Sequence, residues 1–325
     1  MRIERFRVRY TALSPISHGD QHYGNRTMSK REKVIQPDGR IAEVPVVSGN
    51  AIRGQLRRLS KQHLEAALGI TEKDLPMCIA HLLLHGGLQT EGEEAVYDTG
   101  FECTLREALP SVDIFGGSVQ NQILHGRMNL GFVWPVCTET AHIIGVRSTK
   151  PAEDTIIRLR SDELLSDEQA TRRDDRQQKE PDKKGGTDSG QMIYNTEVIA
   201  TGTELIQEIT LKGMNEVGKA CLWRALKELE AYGYIGGKNN AGLGRVRIEY
   251  LDIDPAAMDP SPYDAYIAQN KEKILKTFTA IGQRVEEAKQ KAEKQKRKRA
   301  GGQAGEERPA GGPTGATTAA VESEG

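Results

Sequence analysis

The 325-residue chain is long enough for one large domain with insertions, or for two small ones. Its formal net charge of -1 excludes a uniformly basic nucleic-acid coat, so contact with a polyanion must come from local clusters. The 37% hydrophobic content is modest, but a charged, glycine-rich C-terminal end dilutes it and the remainder can build a core.

Residues Ile3 to Leu13 read as a strand, with Phe6, Val8, Tyr10 and Ala12 alternating with Arg5, Arg7, Arg9 and Thr11. One face is apolar and the other basic, as suits RNA lying across a sheet or arginines in water. Ser14 to Arg40 reads as a loop whose basic residues and Tyr23 fit a backbone-tracking segment. His18, Asp20 and His22 stand at alternate positions there, a pattern that also raises a metal site, though such ligands normally come from a helix or separated elements. An aspartate in a glycine-containing turn is more often an Asx-turn residue.

Val44 to Leu59 carries the strongest local pattern. Val44, Val46 and Val47 favour extended backbone, and Pro45 holds Val44 out of helix. Ser48 and Asn50 are both good helix caps, and Gly49 permits tight geometry. A helix to about Ala67 follows, stopped by Gly69, with Ile52, Leu56 and Leu59 on its buried side. Arg53 and Arg57 lie four apart, on one face near its start. Free amides and arginines pointing one way form an anion site; the competing reading is a solvated basic face.

Residues Ile70 to Val112 read as a helical insertion, in which His81 and His85 have ligand spacing but lack an obvious third ligand. Asp113–Gly117 reads DIFGG, and Leu130–Val136 and Ala141–Val146 read as strands. Arg158 to Gly190 is strongly polar and predicts a mobile loop or exposed hairpin. Strands are predicted at Met192–Ala200 and Glu204–Leu211, and a helix at Val217–Tyr232 with Leu222, Leu226 and Leu229 inward. The run GGKNNAGLGR at 236–245 then enters a strand, Val246–Leu251. Its glycines allow close approach to phosphate and Lys238 and Arg245 supply charge, while a tight helix-to-strand turn explains it equally well. It is no dinucleotide fingerprint, because it follows a helix and enters a strand. Pro255–Pro262 reads as a linker, Tyr263–Arg284 as a peripheral helix, and 285–325 as a disordered tail.

The four cysteines form no CxxC pair, so neither a zinc ribbon nor a disulfide framework is expected. A charged N-terminus and the lack of an apolar run near 20 residues argue against a signal peptide and a membrane span, and point to the cytoplasm.

The order strand, helix, insertions with strands, strand, helix, glycine-rich loop, strand fits an α+β chain with a ferredoxin-like or RRM-like βαββαβ core. GNAIRG followed by Gln55, Leu56 and Arg57 resembles the small-small-Leu-Lys-Gly-x-Leu-Arg signature of the RAMP superfamily of CRISPR systems. Arg53, Gly54 and Arg57 take the signature's basic residue, glycine and arginine. Ser48 stands before Gly49 where the signature has proline, which here lies back at Pro45. DIFGG resembles the family's "LFG"-like segment, and 236–245 its late glycine-rich element.

This resemblance implies a RAMP domain over 1–253 with insertions at 14–43, 70–130 and 147–198, the last forming a thumb-like hairpin on a palm. It is closest to the backbone ("Cas seven"-type) subunits, most like those of type IV. Such subunits stack head to tail along one CRISPR RNA, beside other effector subunits, and display it for pairing with a target nucleic acid. The implied role is non-catalytic, without cofactor or metal. Implied RNA contacts are Ser48, Gly49, Asn50, Arg53 and Arg57, with Arg26, Lys30 and Arg147, and with Lys238, Asn239, Gly242 and Arg245. Two alternatives stand: a metal-dependent endoribonuclease cutting target RNA through Asp20, as in type III relatives, and a protein scaffold that assembles without RNA.

Overall fold

A computed structural model describes residues 2–87, 98–145, 159–173 and 191–303. Among these the strands are β1 (Ile3–Ala12), β2 (Gly19–Tyr23), β3 (Arg26–Ser29), β4 (Arg31–Ile35) and β5 (Ile41–Pro45), followed by helix α1 (Gly49–Leu68). The insertion holds α2 (Met77–His85), α3 (Thr99–Ala108), α4 (Pro110–Phe115), β6 (Gly117–Val119) and β7 (Gln122–Leu124). Then come β8 (Met128–Leu130), β9 (Trp134–Pro135), α5 (Ala141–Ile144), β10 (Leu165–Arg173), β11 (Gln191–Ile199) and β12 (Glu204–Lys212). The chain continues through α6 (Glu216–Tyr232), β13 (Val246–Tyr250) and α7 (Ser261–Gln303). Residues 2–282 and 283–303 fall into two units.

The main sheet is antiparallel, in the order β13-β1-β12-β8, with β9 also on β12. Counting β8 as the second core strand, β12 as the third and β13 as the fourth, this is the 4-1-3-2 order of a βαββαβ core, with α1 and α6 as its helices. Phe6, Val8, Tyr10 and Ala12 are buried on one face of β1, and Phe6 meets Trp223 of α6 edge to face at 5.6 Å. Gln207 is wholly buried on that face and is satisfied, since it accepts from the Tyr10 hydroxyl at 2.9 Å and donates to the Gly131 carbonyl at 2.8 Å.

The opposite face of the sheet differs from the basic surface its arginines suggest. Arg7 clamps Asp252 at 2.8 Å, Arg9 lies 3.4 Å from Glu249 and 4.0 Å from Glu204, and Arg5 lies 3.8 Å from Glu208. The carboxylates arrive from β12, β13 and the turn after it, which are distant in sequence. The face is a checkerboard with little net charge to attract a phosphate chain.

Helix α1 forms as its sequence dictates. The Ser48 hydroxyl accepts from the Ala51 amide at 3.3 Å, and Gly69 closes the far end in the left-handed conformation, φ 66°. A side chain at Gly49 would place its Cβ 2.4 Å from the Leu130 carbonyl oxygen, so this glycine seats the helix start against the sheet.

Several elements depart from the sequence reading. The supposed loop 14–40 contains β2 and β3 as one hairpin and β4 leading into another with β5. Strand β2 is exposed along its whole length, so no apolar alternation marks it. Ala141–Ile144 is a turn of helix rather than a strand, anchored by the buried Thr140 hydroxyl, which donates to the Pro135 carbonyl at 2.5 Å. The stretch 130–136 is broken, because Val133 leaves the main sheet to pair with Val47. The helix expected to be peripheral is part of the core: Tyr263, Ile267, Ile274, Phe278 and Ile281 are buried. Helix α7 also runs on through 285–303, where disorder was expected; 304–325 lies outside the described residues.

Within the insertion expected at 147–198, β10 and β11 pair antiparallel, and parallel pairing of β11 with β3 builds a four-stranded sheet, β10-β11-β3-β2. Buried Glu197 fixes the junction by accepting from the Ser29 amide at 3.0 Å and from Arg31 at 2.6 Å.

Candidate nucleic-acid interface

Two sequence-distant segments meet around Ser17 and His18. The Gly237 amide donates to the Ser17 carbonyl at 2.7 Å, which binds the glycine-rich loop. His18 Nε2 accepts from the Ser48 amide at 3.2 Å, which binds the N-terminus of α1. The His18 carbonyl accepts from the Lys30 amide at 2.8 Å, which adds the β3–β4 junction. The start of α1, the 236–245 loop and the β3–β4 junction are therefore all hydrogen-bonded to the one dipeptide, Ser17–His18. Burial first, then neighbouring Lys30, hold the His18 imidazole below its ordinary pKa, with Asp20 opposing. A neutral ring is what an accepting Nε2 requires.

The glycines of the loop are there for its shape. Gly236, φ 79°, and Gly244, φ 86°, approach the Ser17 and Ile235 carbonyls so closely that a Cβ would fall 2.5 Å and 2.1 Å from them. The Gly242 amide, an expected phosphate donor, is spent on the Asn239 carbonyl at 2.9 Å. Asn239 has its amide nitrogen 3.2 Å from the Gly237 and Leu243 carbonyls and accepts from the Tyr232 hydroxyl at 3.1 Å. Lys238 reaches the Thr196 hydroxyl of β11 and so ties the loop to the four-stranded sheet.

The expected cationic contacts divide. Arg245 is exposed at the end of the loop, and Asn50 is exposed on the first turn of α1. Arg53 is half-buried and its Nε finds no partner among the described residues. Arg57 turns inward, against expectation, and donates from one nitrogen to the Phe115 and Gly116 carbonyls, both at 2.7 Å. Burial, then repulsion from Arg53, lower its pKa to about 10. The two sequence motifs thus touch: the arginine of GNAIRGQLR caps the carbonyl end of the DIFGG helix. Asp113 of that segment is held by Arg106 and Arg127, each at 2.8 Å. Arg26 pairs with Asp167 at 3.1 Å and Lys30 with Glu32 at 3.2 Å. Arg147 lies outside the described residues.

Asp20 sits at an irregularity in β2 and lines a cavity of about 350 Å³ with Arg31, Glu32, Lys33 and Glu43. His22 Nδ1 lies 3.0 Å from the Thr27 hydroxyl, and the His81 and His85 rings are 5.7 Å apart. Among the described residues, no group of three or more His, Cys, Asp or Glu side chains could hold a metal ion. Nor is any described helix long and apolar enough to cross a membrane.

The architecture is therefore an enlarged βαββαβ α+β fold, with the start of its first helix joined to a glycine-rich loop before its last strand. The chain belongs to the RAMP superfamily, whose family model matches residues 9–247. Its fold is similar to that of a chain from a solved structure titled "Type IV-B CRISPR Complex", with TM-score 0.53 and 22% identity, over 77% of this chain and 91% of that one. No curated protein matches.

Proposed function

We propose that this protein is a non-catalytic backbone subunit of a CRISPR ribonucleoprotein effector. Copies stack head to tail along one guide RNA, beside other effector subunits, and present its bases to a target. The observation that carries this reading is the junction at Ser17–His18, where the α1 start, which bears Arg53, and the 236–245 loop, which ends at Arg245, are hydrogen-bonded to one dipeptide. Membership of the RAMP superfamily and likeness to a chain of a CRISPR complex support it. Gripping a sugar–phosphate chain through a few cations and amides is sequence-independent and salt-sensitive. A head-to-tail contact uses two different surfaces and so extends into a filament.

Two expected outcomes test this reading. Protein purified from cells encoding its guide co-purifies with RNA of discrete length, and nuclease digestion breaks the oligomer. An oligomer that is free of nucleic acid and survives digestion would establish the protein scaffold instead. The assembled complex, given Mg²⁺ and complementary RNA, leaves that RNA intact. Regular cuts that vanish in Asp20→Ala would assign cleavage to the β2 irregularity.

A further inference from the structure

We propose that Tyr232 and Tyr234 form a stacking platform for an unpaired nucleobase beside the glycine-rich loop. The inference rests on the RNA reading above and adds a base to what had been a grip on the backbone.

Tyr232 is the last residue of α6, and Gly233, φ 68°, turns the chain so that Tyr234 follows on the same corner. The two rings lie 5.5 Å apart, tilted at 56°, within the range of an aromatic pair. Tyr232 is 44% exposed, and its hydroxyl is held at 3.1 Å by the Asn239 side chain. A tyrosine at a helix end ordinarily turns its ring against the core and leaves the hydroxyl in water. Here a loop side chain holds the hydroxyl while the residue as a whole stays exposed.

The charge lies on the same corner. Tyr234 pairs with Arg245 in an isolated antiparallel bridge, closed by the Ile235 amide on the Gly244 carbonyl at 2.8 Å. Residues paired in this way project to one side. The platform thus has an exposed guanidinium beside it, with Lys238 a few residues along the loop. An aromatic face next to a cation accepts a base on the ring and its phosphate on the charge. A ring already fixed by a hydrogen bond loses little freedom when it does so. The ligand class is a single strand with splayed bases; a duplex keeps its bases stacked out of reach.

Fluorescence anisotropy of the full chain with a short labelled oligouridylate, and with a strand of the same length lacking bases, tests this. Tyr232→Leu is expected to weaken oligouridylate binding by about 5- to 100-fold. Tyr232→Phe, which keeps the ring, recovers most of the affinity. The abasic strand binds wild type weakly, and Tyr232→Leu causes no further loss on it. The platform is overturned if wild type holds the two strands equally, a comparison that needs no variant to fold. It is overturned too if Tyr232→Leu loses affinity equally for both strands, or binds oligouridylate as tightly as wild type. In that last case, weakening by Arg245→Ala keeps the RNA reading while discarding the platform; if Arg53→Ala and Arg245→Ala also bind unchanged, both readings fail.

Discussion

Replacing Arg53 and Arg245 together by alanine is expected to weaken single-stranded RNA binding by about 100-fold at moderate salt. The estimate takes about 1.5 kcal/mol for each lost charge-assisted contact, and tenfold for every 1.4 kcal/mol. Two fewer phosphate contacts also flatten the dependence of log affinity on log salt by about 1.4. Titrations at several salt concentrations read both quantities. Folding should be untouched. Arg245 is exposed, and Arg53 contributes a buried nitrogen without a partner that also repels Arg57. Its removal relieves a cost rather than breaking a bond, so the melting midpoint should hold or rise. The paired lysine replacements keep the charge but not the planar fork; they should restore the salt slope before they restore the affinity. Guide retention unchanged in the double alanine variant would remove the Ser17–His18 junction from the account of RNA binding.

Much of the core was legible because it follows simple periodicities. The two-residue alternation of β1 and the apolar spacing of α1 between Ser48 and Gly69 are consequences of which side chains must leave water, and both appear as read. Hairpin β2–β3 was illegible for the same reason in reverse. A strand exposed on both faces carries no alternation, and its partner β3 joins β11 beside Glu197, more than 160 residues away. Helix α7 did carry a signal, since Tyr263, Ile267, Ile274, Phe278 and Ile281 repeat at helical spacing and are buried. At the site, spacing put Arg53 and Arg57 on one face but could not say what each would meet. The carbonyls that take Arg57, and the Ser17–His18 dipeptide that joins Ser48 to the glycine-rich loop, come from other parts of the chain. The arginines of β1 teach the same point: their acidic partners sit on β12, β13 and at Asp252.

Arg57 offers the sharpest separation between a residue that holds RNA and one that holds the fold. Its guanidinium lies among α1, α2 and α4, so close to Gly86 that a Cβ there would be 2.2 Å from Arg57 Nη1. Arg57→Ala strips donors from two carbonyls and leaves an unfilled space around them. Together these should cost about 3 kcal/mol of stability. For the midpoint this is a fall of about 6–12 °C, at 2–4 °C for each kcal/mol in a domain of this size. Arg57→Lys keeps a charged donor for the carbonyls but loses the planar guanidinium that packs against Gly86, and should lose roughly half as much. Urea unfolding should show a lower midpoint with an unchanged slope, because the surface exposed on unfolding is the same. Measured well below that midpoint, where Arg57→Ala remains folded, its affinity for oligouridylate should match wild type. The opposite pattern, full stability with RNA binding lost, would mean that Arg57 leaves Phe115 and Gly116 for the guide, and the capping contact would then be a resting position that RNA must displace.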